Sequence, residues 1–556
     1  MQTILPAVWL LHVVRRLLLN ILSYEGSAYL RDKTLVGTIL SLLLVAGYAH
    51  ALDDGASWWA HVTTLADDNM EGRNAGSAGH RRAAEYIAGK FKAAGLKAGG
   101  SAAFLQPVPL AVQQIAEEQS SLELVRDGVS IPITLGMEAY ISNRVPLASK
   151  VNAEMVFVGY GLSLPEFKRD DLAGVNLKGK IAVHLSAGPP GLSGALSAHA
   201  QSAGERWKTL RAAGAIGSAS ISVPRSEAVP WVRASRARLQ PSMSLAAPGF
   251  ADQLGHDLNV VINPQNANLF LEGSGHTWEE IVAAHEASKP IASFPLKGRI
   301  HSQVKLEQSS LTSENVIGVL KGSDPKLKNE LVVLSAHMDH LGVDKGLKDD
   351  PIFNGAMDNA SGVAALLEIA ARLGRAPNKP KRTIVFAAVT GEEKGLLGSR
   401  YFANRPSVKG TIVADLNMDM FMPIHKLESV IVLGFEESTL ADSISQAARE
   451  SGLAILPDPA PQQRRFIRSD QYSFILAGIP SAAFKFGYTK GSPEEALQTE
   501  WLSKRYHAVS DDLLQPVAKP DAARFCLFLG RAAELIANQK ERPEWRDDSF
   551  FKRFKK

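Results

Sequence analysis

At 556 residues, 45% of them hydrophobic and 21% charged, the chain is long enough for about two to four domains with sizeable cores, and its composition excludes the disordered and fibrous classes. The 61 Lys and Arg against 57 Asp and Glu leave a net charge of +4, which argues against nucleic acid as a main partner, because such proteins concentrate basic charge on one face. The single cysteine, Cys526, excludes an intramolecular disulfide and any cysteine-based metal site; it falls in the apolar run AARFCLFLGRAAELIA and reads as a core residue.

Residues 34–48, TLVGTILSLLLVAGY, follow Arg31 and Lys33 and lead into AHA at 49–51. A charged start, an apolar run and a small-x-small site have the form of a secretory signal, with cleavage after Ala51. The run is shorter than the ~20 residues of a membrane span, which argues against an uncleaved anchor. No Cys follows it, which argues against a lipoprotein. The chain is therefore expected in the periplasm or outside the cell, with no stable membrane insertion after cleavage. His12, Arg15 and Arg16 interrupt the apolar stretch of residues 1–30. That stretch reads either as sequence upstream of a true start near Leu30 or as an amphipathic surface helix.

After this extension (1–51), residues 52–117 begin the main domain. Apolar positions recur at three and four in SWWAHVTTLADD and GHRRAAEYIAGKFKAAGL, predicting helices with a stop at Gly95. Residues 118–309 change texture. Short alternating runs such as SLELV, IPITL and GKIAVHLS, separated by Pro and Gly, predict a β-rich insert, with one helix in WKTLRAAGAIG. No histidine there is grouped with carboxylates, so this insert is expected to frame a substrate without supplying chemistry. Residues 310–545 alternate strands (ENVIGVL, LVVLSAH, TIVFAAV, TIVADLNM, VIVLGF, SAAFKF) with helices. The fold class is therefore α/β, a mainly parallel mixed sheet flanked by helices. The tail, 546–556, reads as a solvated basic end.

In such sheets, sites lie beyond the carboxyl ends of the strands. His337, Glu392 and Asp419 fall at predicted ends of that kind. Asp358 sits in the tight loop NGAMDNASG before a helix, and His507 lies in RYHAVSDD. Five residues, His337, Asp358, Glu393, Asp419 and His507, thus offer the imidazole and carboxylate ligands that a pair of zinc ions needs, with the loop residue Asp358 suited to bridge them. Asp339, two residues past His337, is expected on the same side of the strand, its carboxylate accepting the second imidazole N–H. Of the neighbours Glu392 and Glu393, the reading assigns Glu393 as ligand and Glu392 as general base. His340 is surplus to this ligand set and reads as a supporting residue.

Together, HMDHLG, NGAMDNASG, GEEKGLLGS, NMDM and YHAVSDD resemble the co-catalytic di-zinc exopeptidase family, which includes secreted bacterial aminopeptidases, glutamate carboxypeptidase II, the transferrin receptor and glutaminyl cyclases. The resemblance implies the zinc exopeptidase fold with an inserted protease-associated domain. It implies two zinc ions per chain bridged by Asp358, with His337 and Asp419 on one and Glu393 and His507 on the other. It also implies that Tyr506 helps stabilise an oxyanion. The expected activity is that of an aminopeptidase acting on peptides with a free N-terminus. Three other activities occur on related scaffolds: a carboxypeptidase or dipeptidase preferring acidic ends, for which Arg464, Arg465 and Arg468 are candidates; a glutaminyl cyclase; and a non-catalytic receptor. Gln471 departs from the family pattern, standing where histidine is common, and Ala508 and Val509 replace a small polar residue and a proline.

Overall fold

The run LVVLSAH is apolar without alternation, and the strand it forms is buried on both faces, as a central strand between two helical layers must be. A computed structural model describes residues 54–190, 194–224, 230–250 and 253–555. The predicted leader and its cleavage site lie outside the described residues. In chain order, the strands that build the first sheet are β1 (Leu105–Ile115), β2 (Ser242–Leu245), β3 (Leu306–Leu320), β4 (Glu330–His337), β5 (Thr383–Val389), β6 (Thr411–Asn417), β7 (Ser429–Leu433), β8 (Ala454–Leu456) and β9 (Ser481–Phe486). Their order across the sheet is β2-β1-β3-β5-β4-β6-β9-β7-β8, with the short strand Lys97–Ala98 on β3 as the tenth member.

Parallel order is confined to the central strands β5, β4, β6 and β9 and to the β7–β8 pair; β3 and its outer neighbours run antiparallel. The register places the site. His337 pairs with Val389, and Ser335 with Asn417, so β4, β5 and β6 end at one edge. The segments leaving them, 338–340, 390–393 and 418–420, emerge side by side there, as expected of ligand sites in α/β sheets.

Helices α1 (Ala56–Leu65), α2 (Ala78–Ala93), α3 (Ser361–Arg375), α5 (Leu440–Glu450) and α7 (Lys519–Asn538) cover one face of the sheet, while α4 (Leu397–Asn404) and α6 (Gln471–Leu476) cover the other. On β4, Val332, Leu334 and Ala336 pack into the first layer and Leu331 and Val333 into the second. Helix α3 follows directly on the loop that carries Asp358, and buries Val363, Leu366, Leu367 and Ile369; each such side chain contributes about 1.5–3 kcal/mol, which anchors that loop. Among the described residues no helix is long and apolar enough to cross a membrane.

A second, eight-stranded sheet is built entirely from residues 121–303 and has its own core. From within this region β2 crosses to pair with β1 in the first sheet, so the two sheets are tied by hydrogen bonds as well as by chain connections. The C-terminal end differs from the sequence expectation. Rather than a solvated tail, SFFKRF closes on the molecule: Phe551 is fully buried and, with Phe550 and Phe554, surrounds the His199 ring. The aromatic residues between the charges drive this packing, and only the charged heads remain in water.

Candidate metal centre

All five ligands expected from the sequence meet at the edge described above. His337 Nε2 lies 3.3 Å from Asp358 Oδ1 and 3.4 Å from Asp419 Oδ1. His507 Nε2 lies 3.4 Å from Asp358 Oδ2 and 3.2 Å from Glu393 Oε2. The two oxygens of Asp358 therefore serve different clusters. These separations are longer than charge-assisted hydrogen bonds, about 2.7–2.9 Å. They match the edge of a tetrahedron around zinc, about 3.3–3.4 Å for bonds of 2.0–2.1 Å. Asp419 Oδ1 is buried without a hydrogen-bond partner, as an oxygen reserved for a cation would be. The donor set thus fits two divalent ions.

His340 competes for the second cluster, since its ring also gathers with Asp358 and Glu393. Distance separates the two histidines. His340 Nδ1 is 2.8 Å from Glu393 Oε1, a hydrogen bond, and 4.0 Å from Asp358 Oδ2. His340 therefore orients Glu393 through one oxygen and leaves the other facing His507.

Asp339 does not act as the sequence reading expects. The His337 Nδ1–H goes to the backbone carbonyl of Asp339, at 3.1 Å. The Asp339 carboxylate instead accepts the backbone N–H groups of Glu392 and Glu393, at 3.1 and 3.3 Å. The physical reason is that β4 ends at His337, so strand alternation no longer governs residue 339. The outcome for the imidazole is the same: with Nδ1–H committed to that carbonyl, Nε2 is the ring nitrogen aimed at the cluster.

Several positioning residues escape a sequence reading. Asp511 accepts the N–H groups of Met357 and Asp358 at 2.9 and 3.0 Å, holding the loop whose Asp358–Asn359 peptide is cis. Asn359 donates to Met418 O at 2.9 Å and accepts from Met420 N at 3.3 Å, tying that loop to the segment carrying Asp419. Arg73, from the Gly-rich loop before α2, is buried and donates to Met338 O (2.9 Å), Asn354 O (2.7 Å), Gly355 O (2.9 Å) and Leu65 O. Burial lowers its pKa to about 10, with Asp511, Asp339 and Asp358 opposing, so it stays charged. Replacing Arg73 with Met should cost about 3–5 kcal/mol, read as a lower urea midpoint together with weaker zinc retention. The signal available in the sequence was an arginine inside EGRNAGSAG, which looks like any loop arginine.

The region 118–309, expected to carry no chemistry, reaches the centre with two arginines. Arg144 donates to Glu393 O at 3.1 Å and Arg233 to Tyr506 O at 2.7 Å. The arginine trio of the acidic-end reading separates. Arg464 donates to Gln201 O, whereas Arg465 and Arg468 both line the central cavity that Asp358, Glu392 and Asp419 also border; there Arg465 pairs with Asp458 and Arg468 donates to Tyr506 Oη at 3.2 Å. Gln471 is buried, accepting from Asn417 Nδ2 at 2.7 Å and donating to Phe466 O at 2.8 Å, which makes it a brace for the cavity wall.

The electrostatics point the same way as the distances. Burial alone would lower both His337 and His507, but Glu392, Asp358 and Asp419 around the first, and Glu393 and Asp358 around the second, hold both well above the usual histidine range. The imidazolium charges stand in for cations in a carboxylate-rich cluster. Zinc binding should therefore release protons and tighten as pH rises through neutrality; calorimetry in buffers of different ionisation enthalpy measures this directly, and binding without proton uptake by the buffer contradicts it.

Residues 315–526 match the profile of Peptidase family M28. That stretch resembles a peptidase family M28 domain. All five clustered ligands, Glu392 and Tyr506 lie inside it. Aminopeptidase YwaD of Bacillus subtilis (strain 168) is 30% identical over 207 residues, covering 36% of this chain and 40% of that protein. Probable glutamate carboxypeptidase LAMP1 of Arabidopsis thaliana is 30% identical over 213 residues, covering 36% of this chain and 28% of that protein. The chain thus spans less than half the length of these curated relatives. Among solved structures, the aminopeptidase from Aneurinibacillus sp. strain AM-1 shares the fold of this chain: TM-score 0.52, 20% identity, 89% of this chain and all of that one covered.

Proposed function

We propose that this chain is a zinc-dependent aminopeptidase that uses two zinc ions bridged by Asp358. The observation that carries the reading is the pair of clusters sharing Asp358, one oxygen to each, with the Glu392 carboxylate beside them in the stretch that matches family M28. His337 and Asp419 would hold one ion and Glu393 and His507 the other. Bound zinc supplies Lewis acidity that acidifies water and polarises a carbonyl.

The remaining steps belong to side chains. Glu392 lines the central cavity and makes no ion pair among the described residues, so its carboxylate is free to take the proton of the attacking water and return it to the leaving amine. Burial, with Glu393, Asp419 and Asp470 close by and His337 opposing, pushes Glu392 well above the carboxylate range; cations in the cluster lower it toward the range a base needs. Tyr506 stacks on His507 with ring centroids 3.9 Å apart, and Arg468 steers its hydroxyl toward the cavity, where it can donate to a developing oxyanion. Met420, Met422, Leu433 and Leu502 give the same cavity an apolar wall for the first side chain, while Asp419 and Glu392 suit its ammonium group.

We also infer that residues 118–309 are a protease-associated insert framing the site, and that the chain is exported by the signal ending at Ala51. N-terminal sequencing of the native protein tests export, with a mature start near Leu52 expected and a retained Met1 against it. Activity is tested on aminoacyl-p-nitroanilides beside N-blocked peptides with acidic C-termini, with chelator and zinc add-back. Cleavage of free-amine substrates alone, lost to chelator and restored by zinc, supports the reading. Activity only on N-blocked peptides would move the assignment to a carboxypeptidase, with Arg468 as its determinant. No turnover by a zinc-loaded, folded sample would leave the cyclase and receptor alternatives.

A further inference from the structure

His507 lines two cavities. The first is the one just described. The second, about 290 Å³, contains Glu393 but none of Glu392, Asp358 and Asp419, and it is bounded by Arg144, Arg233, Arg236 and Lys394. Segments 143–144 and 233–242 come from the 118–309 region, and segments 341–353 and 393–394 together with His507 come from residues 315–526, so only the assembled chain creates it.

Its charge is unbalanced. Arg236 is answered by Asp344, at 3.0 Å. The other three cations have no carboxylate partner among the described residues. Among the described residues Arg144 donates to one backbone carbonyl, Arg233 to two, and Lys394 Nζ forms no hydrogen bond or ion pair. Each guanidinium carries five N–H donors, so most of them remain unused. The only other acid on the wall, Glu393, is engaged by His340 and His507. Three like charges around one cavity repel at any dielectric. An anionic ligand removes that cost; arginine forks suit a carboxylate, the anion that a peptide itself carries at its C-terminus and on acidic side chains. A compact volume of this size is roughly 8 Å across, the reach of about two extended residues.

We propose that this cavity is a carboxylate-binding subsite for the part of the peptide beyond the cleaved bond, so that the best substrates carry a carboxylate within about two residues of that bond. The carboxylate is either the free C-terminus of a dipeptide or tripeptide or an acidic side chain. The proposal rests on the aminopeptidase reading and adds its substrate class. It also makes the inserted region part of substrate recognition, because Arg144 and Arg233 read the carboxylate while their remaining donors grip the backbone of Glu393 and Tyr506.

The test uses the whole zinc-loaded chain on Leu-Ala, Leu-Ala-amide and Leu-Asp-amide. Leu-Ala should exceed Leu-Ala-amide in kcat/KM by roughly tenfold or more. Lys394→Gln and Arg144→Gln should each shrink that ratio at least about threefold, chiefly through KM, with zinc content unchanged. If Leu-Asp-amide matches Leu-Ala, the side-chain carboxylate is accepted; if it matches Leu-Ala-amide, only the C-terminus is. Equal rates for all three peptides overturn the subsite while leaving the aminopeptidase intact. So does a ratio untouched in both folded variants. The wild-type comparison decides even if a variant does not fold. Failure to cleave any free-amine peptide sinks the aminopeptidase reading, and the subsite falls with it.

Discussion

Glu392→Gln should lower kcat by on the order of 10²–10⁴-fold while the chain keeps its zinc. Glutamine has the same shape but cannot take a proton. The geometry separates the two neighbours: Glu393 Oε2 lies 3.2 Å from His507, and its other oxygen is held by His340, whereas Glu392 stands in the cavity wall. The backbone of both is fixed by Asp339 through N–H groups that the substitution leaves in place. Metal analysis and turnover on the same sample check the prediction. Zinc lost in step with activity would mean that the roles of Glu392 and Glu393 are exchanged.

Asp358→Asn should weaken metal binding at both clusters rather than at one. The carboxylate offers Oδ1 to the His337 cluster and Oδ2 to the His507 cluster, while an asparagine has a single oxygen and an NH₂ that cannot ligate. Metal content is expected to fall to about one ion per chain or fewer, with activity reduced on the order of 10³-fold or more. The fold should survive, because Asp511 holds the backbone N–H groups at 357 and 358 and α3 buries its apolar face independently of the side chain. An unchanged zinc content with full activity would remove the bridging role. Unfolding, seen by circular dichroism, would show that the carboxylate also braces the loop.

These two tests bear on residues that the sequence alone brings to notice. LVVLSAH, TIVFAAV and TIVADLNM are apolar without alternation because both their faces are buried, and the helices between them announce a parallel centre. Each strand is therefore a local object, with a local signature, and the rule that ligands lie beyond the strand ends converts those signatures into a site. Chemistry-bearing residues at such ends (His337, Glu392, Glu393, Asp419) need no tertiary information to be suspected. The aromatic spacing in SFFKRF was equally local, but its charges masked it.

Tertiary structure settled what depends on distances between segments far apart in the chain. His340 and His507 are both candidate ligands by type, and 2.8 Å against 3.2–3.4 Å sets the ring that hydrogen-bonds Glu393 apart from the ring proposed as a ligand. Asp339 turned from its imidazole to two amides because the strand stopped two residues earlier. Arg73 and Asp511 show nothing in sequence, since a buried charge is recognised only by the carbonyls, amides and carboxylates that fold around it. Arg144 and Arg233 meet residues about 250 positions later in the chain. Residue type and period are written along the chain and determine elements, edges and ligand chemistry. Which atoms face one another, and which charges go unanswered, is fixed only when distant segments are packed to within a few ångströms, because electrostatic and hydrogen-bond energies fall off over that range.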